Sequence, residues 1–187
     1  MQIFSGRISS TGFSSGDRFV IGDWLVSPLG KFTNIMWAKP DGTRVLLSPS
    51  REHADYVSRL YYFEEVIIVG IEVERSKKGI SVVAGEVSIN LEWGVPITIP
   101  FWRPLWFIRS IEYFFARIVF GTRTFGRTKD GRREWYSVRS VSRILMAQGE
   151  IDGSSLGSKV SFETGACFGF SDPPSMPTSV RLKSYIE

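Results

Sequence analysis

The densest run of residues able to do chemistry lies between positions 121 and 143, where Arg123, Arg127, Lys129, Arg132, Arg133, Arg139 and Arg143 are interleaved with Phe125, Trp135 and Tyr136. Cations that can contact phosphates, beside rings that can stack on bases, are the mixture single-stranded nucleic acids are bound with. A solvated hairpin whose arginine stems lie over aromatic rings has the same composition. Residues 101–143 carry ten Lys or Arg against Glu112, Asp130 and Glu134, a local balance of +7 in a chain of formal charge +4. The remainder is therefore net acidic, and the positive potential is concentrated where an anionic partner would meet it. The polyanion-binding set expected from this pattern is Arg123, Arg127, Arg132, Arg133, Trp135 and Tyr136.

A second set stands just upstream. Arg103, Trp106, Arg109 and Tyr113 open a long apolar run, and guanidinium groups there could hold an acidic ligand group at the mouth of a pocket walled by aromatic side chains.

The remaining catalytic patterns weaken on inspection. Residues 153–157, Gly-Ser-Ser-Leu-Gly, match a nucleophile elbow centred on Ser155. An elbow needs a helix after it and a histidine downstream, whereas the following residues look strand-forming and the single histidine, His53, lies upstream. His53, beside Glu52 and Asp55, has the side chain suited to acid–base work near neutrality, with an exposed helical position as the simpler reading. Cys167 sits in an apolar stretch and reads as a small core residue, which excludes an internal disulfide because it is the one cysteine. One cysteine and one histidine do not make a four-ligand zinc site without carboxylates. Asp17, Asp23 and Asp41 stand in or beside turns, where a carboxylate caps its own backbone. Pro174 to Pro177 has the spacing of a polyproline ligand but reads as a connector. Glycine-rich phosphate loops, dinucleotide fingerprints and metal-ligand clusters are missing from the sequence, so no cofactor and no metal is expected.

These residues need elements to carry them. Over Pro104 to Phe120, the residues Phe107, Ile111, Phe114, Phe115 and Ile118 fall on one side at helical spacing and Arg109, Glu112 and Arg117 on the other. Pro104 suits the first helical position and Gly121 the residue that ends it. The charges argue against a membrane span, since each at bilayer depth would cost roughly 2.5 kcal/mol or more. Ser50 followed by apolar residues at helical spacing predicts a short helix as well. Arg18 to Ser27 reads as a strand, and the Lys-Pro-Asp-Gly turn between Phe32–Ala38 and Thr43–Ser48 predicts a hairpin. Lys129-Asp130-Gly131 predicts another. Glu65 to Ile71 looks apolar on both faces, and Ile80 to Trp93 alternates as one half-buried strand. The Gly- and Ser-rich N-terminus suggests no strand of its own before the turn at 12–17.

The expected fold is therefore α+β: mainly antiparallel β, barrel-like or strongly curved, with one central amphipathic helix and one short helix. Residues 1–170 form the expected single β-rich domain, and 171–187 a Pro/Ser-rich connector with a terminal strand seeking an edge. The N-terminus lacks the charged lead and apolar run of a signal peptide, so a cytoplasmic protein is expected. Six Trp and 14 Phe exceed what a plain two-layer core needs, which points to closure around an apolar space, as a monomer or a homodimer. Three functions remain open: a noncatalytic domain binding a small amphipathic or acidic ligand in an apolar pocket, a nucleic-acid or polyanion binder, and an enzyme without a readable motif.

Overall fold

A computed structural model describes residues 1–98, 125–162, 168–170 and 174–187. The helix expected over Pro104 to Phe120 lies outside the described residues, as do Arg103, Trp106, Arg109, Tyr113, Arg123 and Cys167.

Nearly everything described is sheet. In chain order the strands are β1 (Gln2–Phe13), β2 (Arg18–Val26), β3 (Phe32–Ala38), β4 (Arg44–Ser48), β5 (Glu65–Ile68), β6 (Ile71–Arg75), β7 (Gly79–Ala84) and β8 (Val87–Trp93). They continue with β9 (Ile97–Thr98), β10 (Phe125–Arg127), β11 (Arg133–Ile151), β12 (Ser154–Ser155), β13 (Lys159–Val160) and β14 (Thr178–Ile186). The helix described is α1, Arg51–Leu60, capped by Ser50, whose hydroxyl accepts from the His53 N–H at 3.4 Å. This is the short helix expected; of the two-helix arrangement, the described residues hold only this one.

The sheet runs β5-β4-β3-β2-β1-β14-β11-β8-β7-β6, antiparallel throughout except for the parallel β4–β5 pair. β11 makes this possible. Its 19 residues carry register shifts at Val138/Ser140 and Ile144/Met146, so its first half pairs with β14 and its second with β8. Bulges bend and twist a strand, and here they curl the sheet into a half-barrel. The curl brings β6 back to the other end of the sheet, where Arg75 donates to the Asp23 carboxylate of β2 through Nε at 3.0 Å and Nη2 at 2.6 Å, and to Thr33 of β3 at 3.2 Å.

Both faces of β1–β4 are buried. Inside the curl, Ile21, Ile35, Val45 and Leu47 pack against Ile80, Val82, Ile89 and Leu91. On the outer face, Phe4, Phe32 and Leu46 lie under Ala54, Val57 and Leu60 of α1. The apolar space expected inside the curved sheet is thus filled by side chains.

Several local expectations are corrected. The N-terminal segment is β1, interior to the sheet between β2 and β14. Its buried Ser9 is served by a 2.7 Å hydrogen bond to Ser179 Oγ, and its backbone by the ladders to β2 and β14. β14 is likewise interior between β1 and β11, where an edge position was expected. Ile80 to Trp93 is two strands joined through Gly85 and Glu86, with Gly85 at φ 59. The turn inverts the phase, so Val82 is buried and Val83 is 40% exposed. Glu65 to Ile71 breaks at Gly70 into β5 and β6, and Val66, Ile67 and Ile68 are 41–43% exposed; among the described residues β5 is an edge strand paired with β4 alone. Among the described residues no helix is long and apolar enough to cross a membrane.

Candidate functional site

Because directly opposed residues of neighbouring strands share a face, the register fixes what α1 looks down upon. Asn34, Gly22 and Ile8 form one row across β3, β2 and β1; Phe32 and Trp24 stand beside it; Phe4, Ser184 and Tyr136 form another, and Ile186 with Glu134 a third. A cavity lies between these rows and Tyr56, Val57, Leu60 and Tyr61. About 40 Å³ of it admits the centre of a water molecule, within about 460 Å³ of atom-free space that includes solvent at its mouth. The smaller figure is room for roughly three waters, and so for a molecule of a few heavy atoms.

Polar side chains interrupt the largely apolar wall at two places, Asn34 at one end and Glu134 with Ser184 and Tyr61 at the other. Asn34 is 1% exposed, and its Oδ1 accepts from Trp24 Nε1 at 3.3 Å. Indole N–H only donates, so the amide oxygen must face it and the amide NH2 must face away. That Nδ2 has no partner among the described residues, which is costly for a buried donor unless something in the cavity accepts from it. Gly22 makes the arrangement feasible: a Cβ there would lie 2.8 Å from Asn34 Oδ1 and 3.0 Å from Trp24 Nε1. Gly22→Ala is expected to break the Trp24–Asn34 bond and to cost about 1–2 kcal/mol by overpacking, read as a lowered urea midpoint with loss of the downfield Trp24 indole resonance.

At the other end sits Glu134, 1% exposed. Tyr61, which follows the last turn of α1, holds its hydroxyl 3.0 Å from both carboxylate oxygens, Ser184 Oγ donates to Oε1 at 2.7 Å, and the Tyr136 hydroxyl is 3.0 Å from that of Tyr61. Burial raises the Glu134 carboxyl above the ordinary glutamate value, against the hydrogen bonds and the nearby Arg132, which favour its charged form. The same burial, with the Glu134 charge beside them, raises both tyrosine hydroxyls well above the usual phenol value. The cluster can therefore hold or release a proton at one buried carboxyl.

The basic hairpin is present, as β10 and the start of β11 joined by a turn with Gly131 at φ 86. Its cations are engaged within the chain. Arg132 donates to Asp130 at 2.8 Å and to Gln2 at 3.0 Å and lies over Tyr56; Arg133 meets Glu187 at 3.1 Å; Arg127 donates to the Gly131 carbonyl at 3.2 Å. Burial works against the charge on Asp130, but hydrogen bonds from Arg132 and Thr128 hold its carboxyl down at about 2. Trp135 stacks on Tyr185 and Tyr136 on Phe170, so neither ring face is presented singly.

Ser155 is exposed in β12, and its hydroxyl accepts from the Gly157 N–H at 3.2 Å. His53 bridges Ser50 Oγ at 2.6 Å and the Leu29 carbonyl at 3.3 Å, with its ring against Phe32, so it ties the β2–β3 connection to α1. Asp17 accepts from Trp37 Nε1 at 2.7 Å and Asp41 from the Thr43 N–H at 2.9 Å, which are structural roles. The cavity residues Asn34, Tyr61, Glu134 and Ser184 were not singled out by the sequence. The one usable signal was Glu134 among the apolar and aromatic residues of a strand.

No family model and no curated protein matches the chain. A solved structure described as structural studies of acetoacetate decarboxylase is similar at TM-score 0.52 and 10% identity, over 99% of this chain and 86% of that one. An acetoacetate decarboxylase from Legionella pneumophila subsp. pneumophila str. Philadelphia 1 is similar at TM-score 0.47 and 9% identity, over 99% of this chain and 83% of that one. At such identity the first likeness shows the fold, a curled half-barrel, and leaves activity to the residues present.

Proposed function

We propose that the chain is a noncatalytic binding domain whose cavity under α1 takes a small, uncharged amphipathic molecule carrying a hydrogen-bond acceptor. The observation that supports this is the unpartnered Asn34 Nδ2, fixed in orientation by Trp24 and set in an apolar, aromatic wall. A ligand carbonyl would satisfy that donor while its hydrocarbon part displaces water from Phe4, Phe32 and Met36. An anionic ligand fits less well: the described residues lining the cavity include an acid, Glu134, and no lysine or arginine. Imine chemistry on a ketone needs a lysine amine as nucleophile, and the absence of one from that wall favours binding over such a reaction.

The test uses 2-butanone and, as its apolar counterpart, cyclopentane, followed by NMR at the Trp24 indole and Ile8 methyl resonances. Saturable shifts with 2-butanone are expected, weakened about fivefold or more in Asn34→Leu by loss of one hydrogen bond. Absence of saturable shifts with either probe, or equal affinity in Asn34→Leu, would overturn the reading.

A further inference from the structure

The opposite face of the sheet, inside the curl, carries a charge arrangement that the cavity under α1 does not use. Arg7 on β1 stands directly opposite Arg181 on β14. Like charges in directly opposed positions destabilise a strand pair, and opposite charges are the usual occupants. Arg7 also faces Asp23 across β1–β2, but that carboxylate is taken up by Arg75 and Thr33.

The Arg7 guanidinium is held in place. It lies 4.4 Å above the Trp93 ring, and its Nη1 donates to Ser179 Oγ at 3.0 Å. Ser179 is bonded in turn to Ser9 and stands opposite Ser142, whose hydroxyl is buried without a partner among the described residues. A row of hydroxyls thus borders two guanidinium groups on this face, one half-buried and fixed, the other exposed. Burial and the neighbouring Arg181 both work against the charge on Arg7, and Asp23 only partly offsets them. Lys183, two residues on along β14 and on the same face, adds to the positive excess.

We infer that Arg7 and Arg181 form a binding site for a small carboxylate, held between the two guanidinium groups with its hydrocarbon part toward Trp93. Guanidinium forks match the planar, two-oxygen geometry of a carboxylate. A bound anion turns the opposed like charges into a bridged pair, which is the stabilising form of that contact. The site is separate from the cavity under α1 because alternate side chains of β1 and β14 point to opposite faces.

The experiment titrates the full chain with sodium propionate, with sodium phosphate, and with sodium chloride at matched ionic strength, reading thermal midpoint and the Trp93 indole resonance. Propionate is expected to raise the midpoint saturably above chloride and to shift Trp93. Arg181→Gln, an exposed position, is expected to fold with an unchanged or higher midpoint in the absence of propionate, since a like charge is removed, and to bind propionate about tenfold or more weakly. Arg7→Gln should lose binding as well, with Arg181→Lys retaining part of it through charge alone. The inference is overturned if propionate does no more than chloride, if Arg181→Gln binds it as tightly as the parent, or if phosphate binds and propionate does not.

Discussion

Glu134→Gln is expected to flatten part of the chain's stability profile between acid and neutral pH and to leave the variant the more stable of the two at the neutral end. The folded-state carboxyl is raised by burial, so as pH climbs past the ordinary glutamate value of about 4.3 the unfolded chain ionises first. The folded state then binds more protons than the unfolded state, and stability falls with rising pH. The stabilising contribution is fully present below the unfolded value and is lost as pH passes through the folded one. Glutamine keeps the shape and can still accept from Tyr61 and Ser184, but has no proton to lose. Urea midpoints of parent and variant at pH 4, 6 and 8 give the comparison, and parallel curves would show that Glu134 does not titrate in this range. Asp130 and Glu64, held at about 2, act on the other side, where stability is lost as pH falls, and they cancel between the two proteins. Glu134→Leu is expected to be worse than either. It leaves the buried Ser184 hydroxyl without its acceptor while Tyr61 can still turn to the Tyr136 hydroxyl, a cost of on the order of 1–3 kcal/mol.

The second large effect is expected at the clasp of the half-barrel. Arg75→Met would leave Asp23, whose side chain is 8% exposed, with the Thr33 hydroxyl as its hydrogen-bond donor and Arg7 across the β1–β2 pair as its nearest cation. Removing one partner of a fully buried pair costs roughly 3–5 kcal/mol. Because the Arg75 side chain is 30% exposed, about 2 kcal/mol is the discounted expectation. Adding Asp23→Asn should restore most of the loss, since the uncompensated charge goes with it. A double variant no more stable than Arg75→Met alone would show that β6 is held by its apolar contacts and not by this pair.

Local physics made much of the framework legible. Pro40-Asp41-Gly42 sets the β3–β4 turn through the Asp41 cap and a glycine at φ 89, and Lys129-Asp130-Gly131 does the same before β11. Ser50 caps α1, whose buried Ala54, Val57 and Leu60 follow helical spacing. These devices act within a few residues, so the chain states them wherever it folds. β1 was not legible for the converse reason: Ser9, Ser10 and Thr11 suggest a loop until β2 and β14 flank them and pair with their backbone. The turn at Gly85 was hidden because alternation continues across it in sequence while the strands reverse in space.

The candidate site divides along the same line. Sequence alone determined a β-rich chain of strong curvature with aromatic side chains in excess, a short capped helix, and a basic hairpin, because each follows from spacing, composition or turn chemistry. Only the tertiary structure decided that the hairpin's Arg132 and Arg133 are engaged by Asp130 and Glu187. It decided likewise that Glu134 turns inward to Tyr61 and Ser184, and that Arg7 faces Arg181. A strand's pattern says that alternate residues share a face, but which face is covered, and by what, depends on registers set between segments more than fifty residues apart. Gln2↔Ile186 and Glu134↔Ile186 are such registers, and shifting either by one residue would send Glu134 or Arg7 to the opposite side of the sheet.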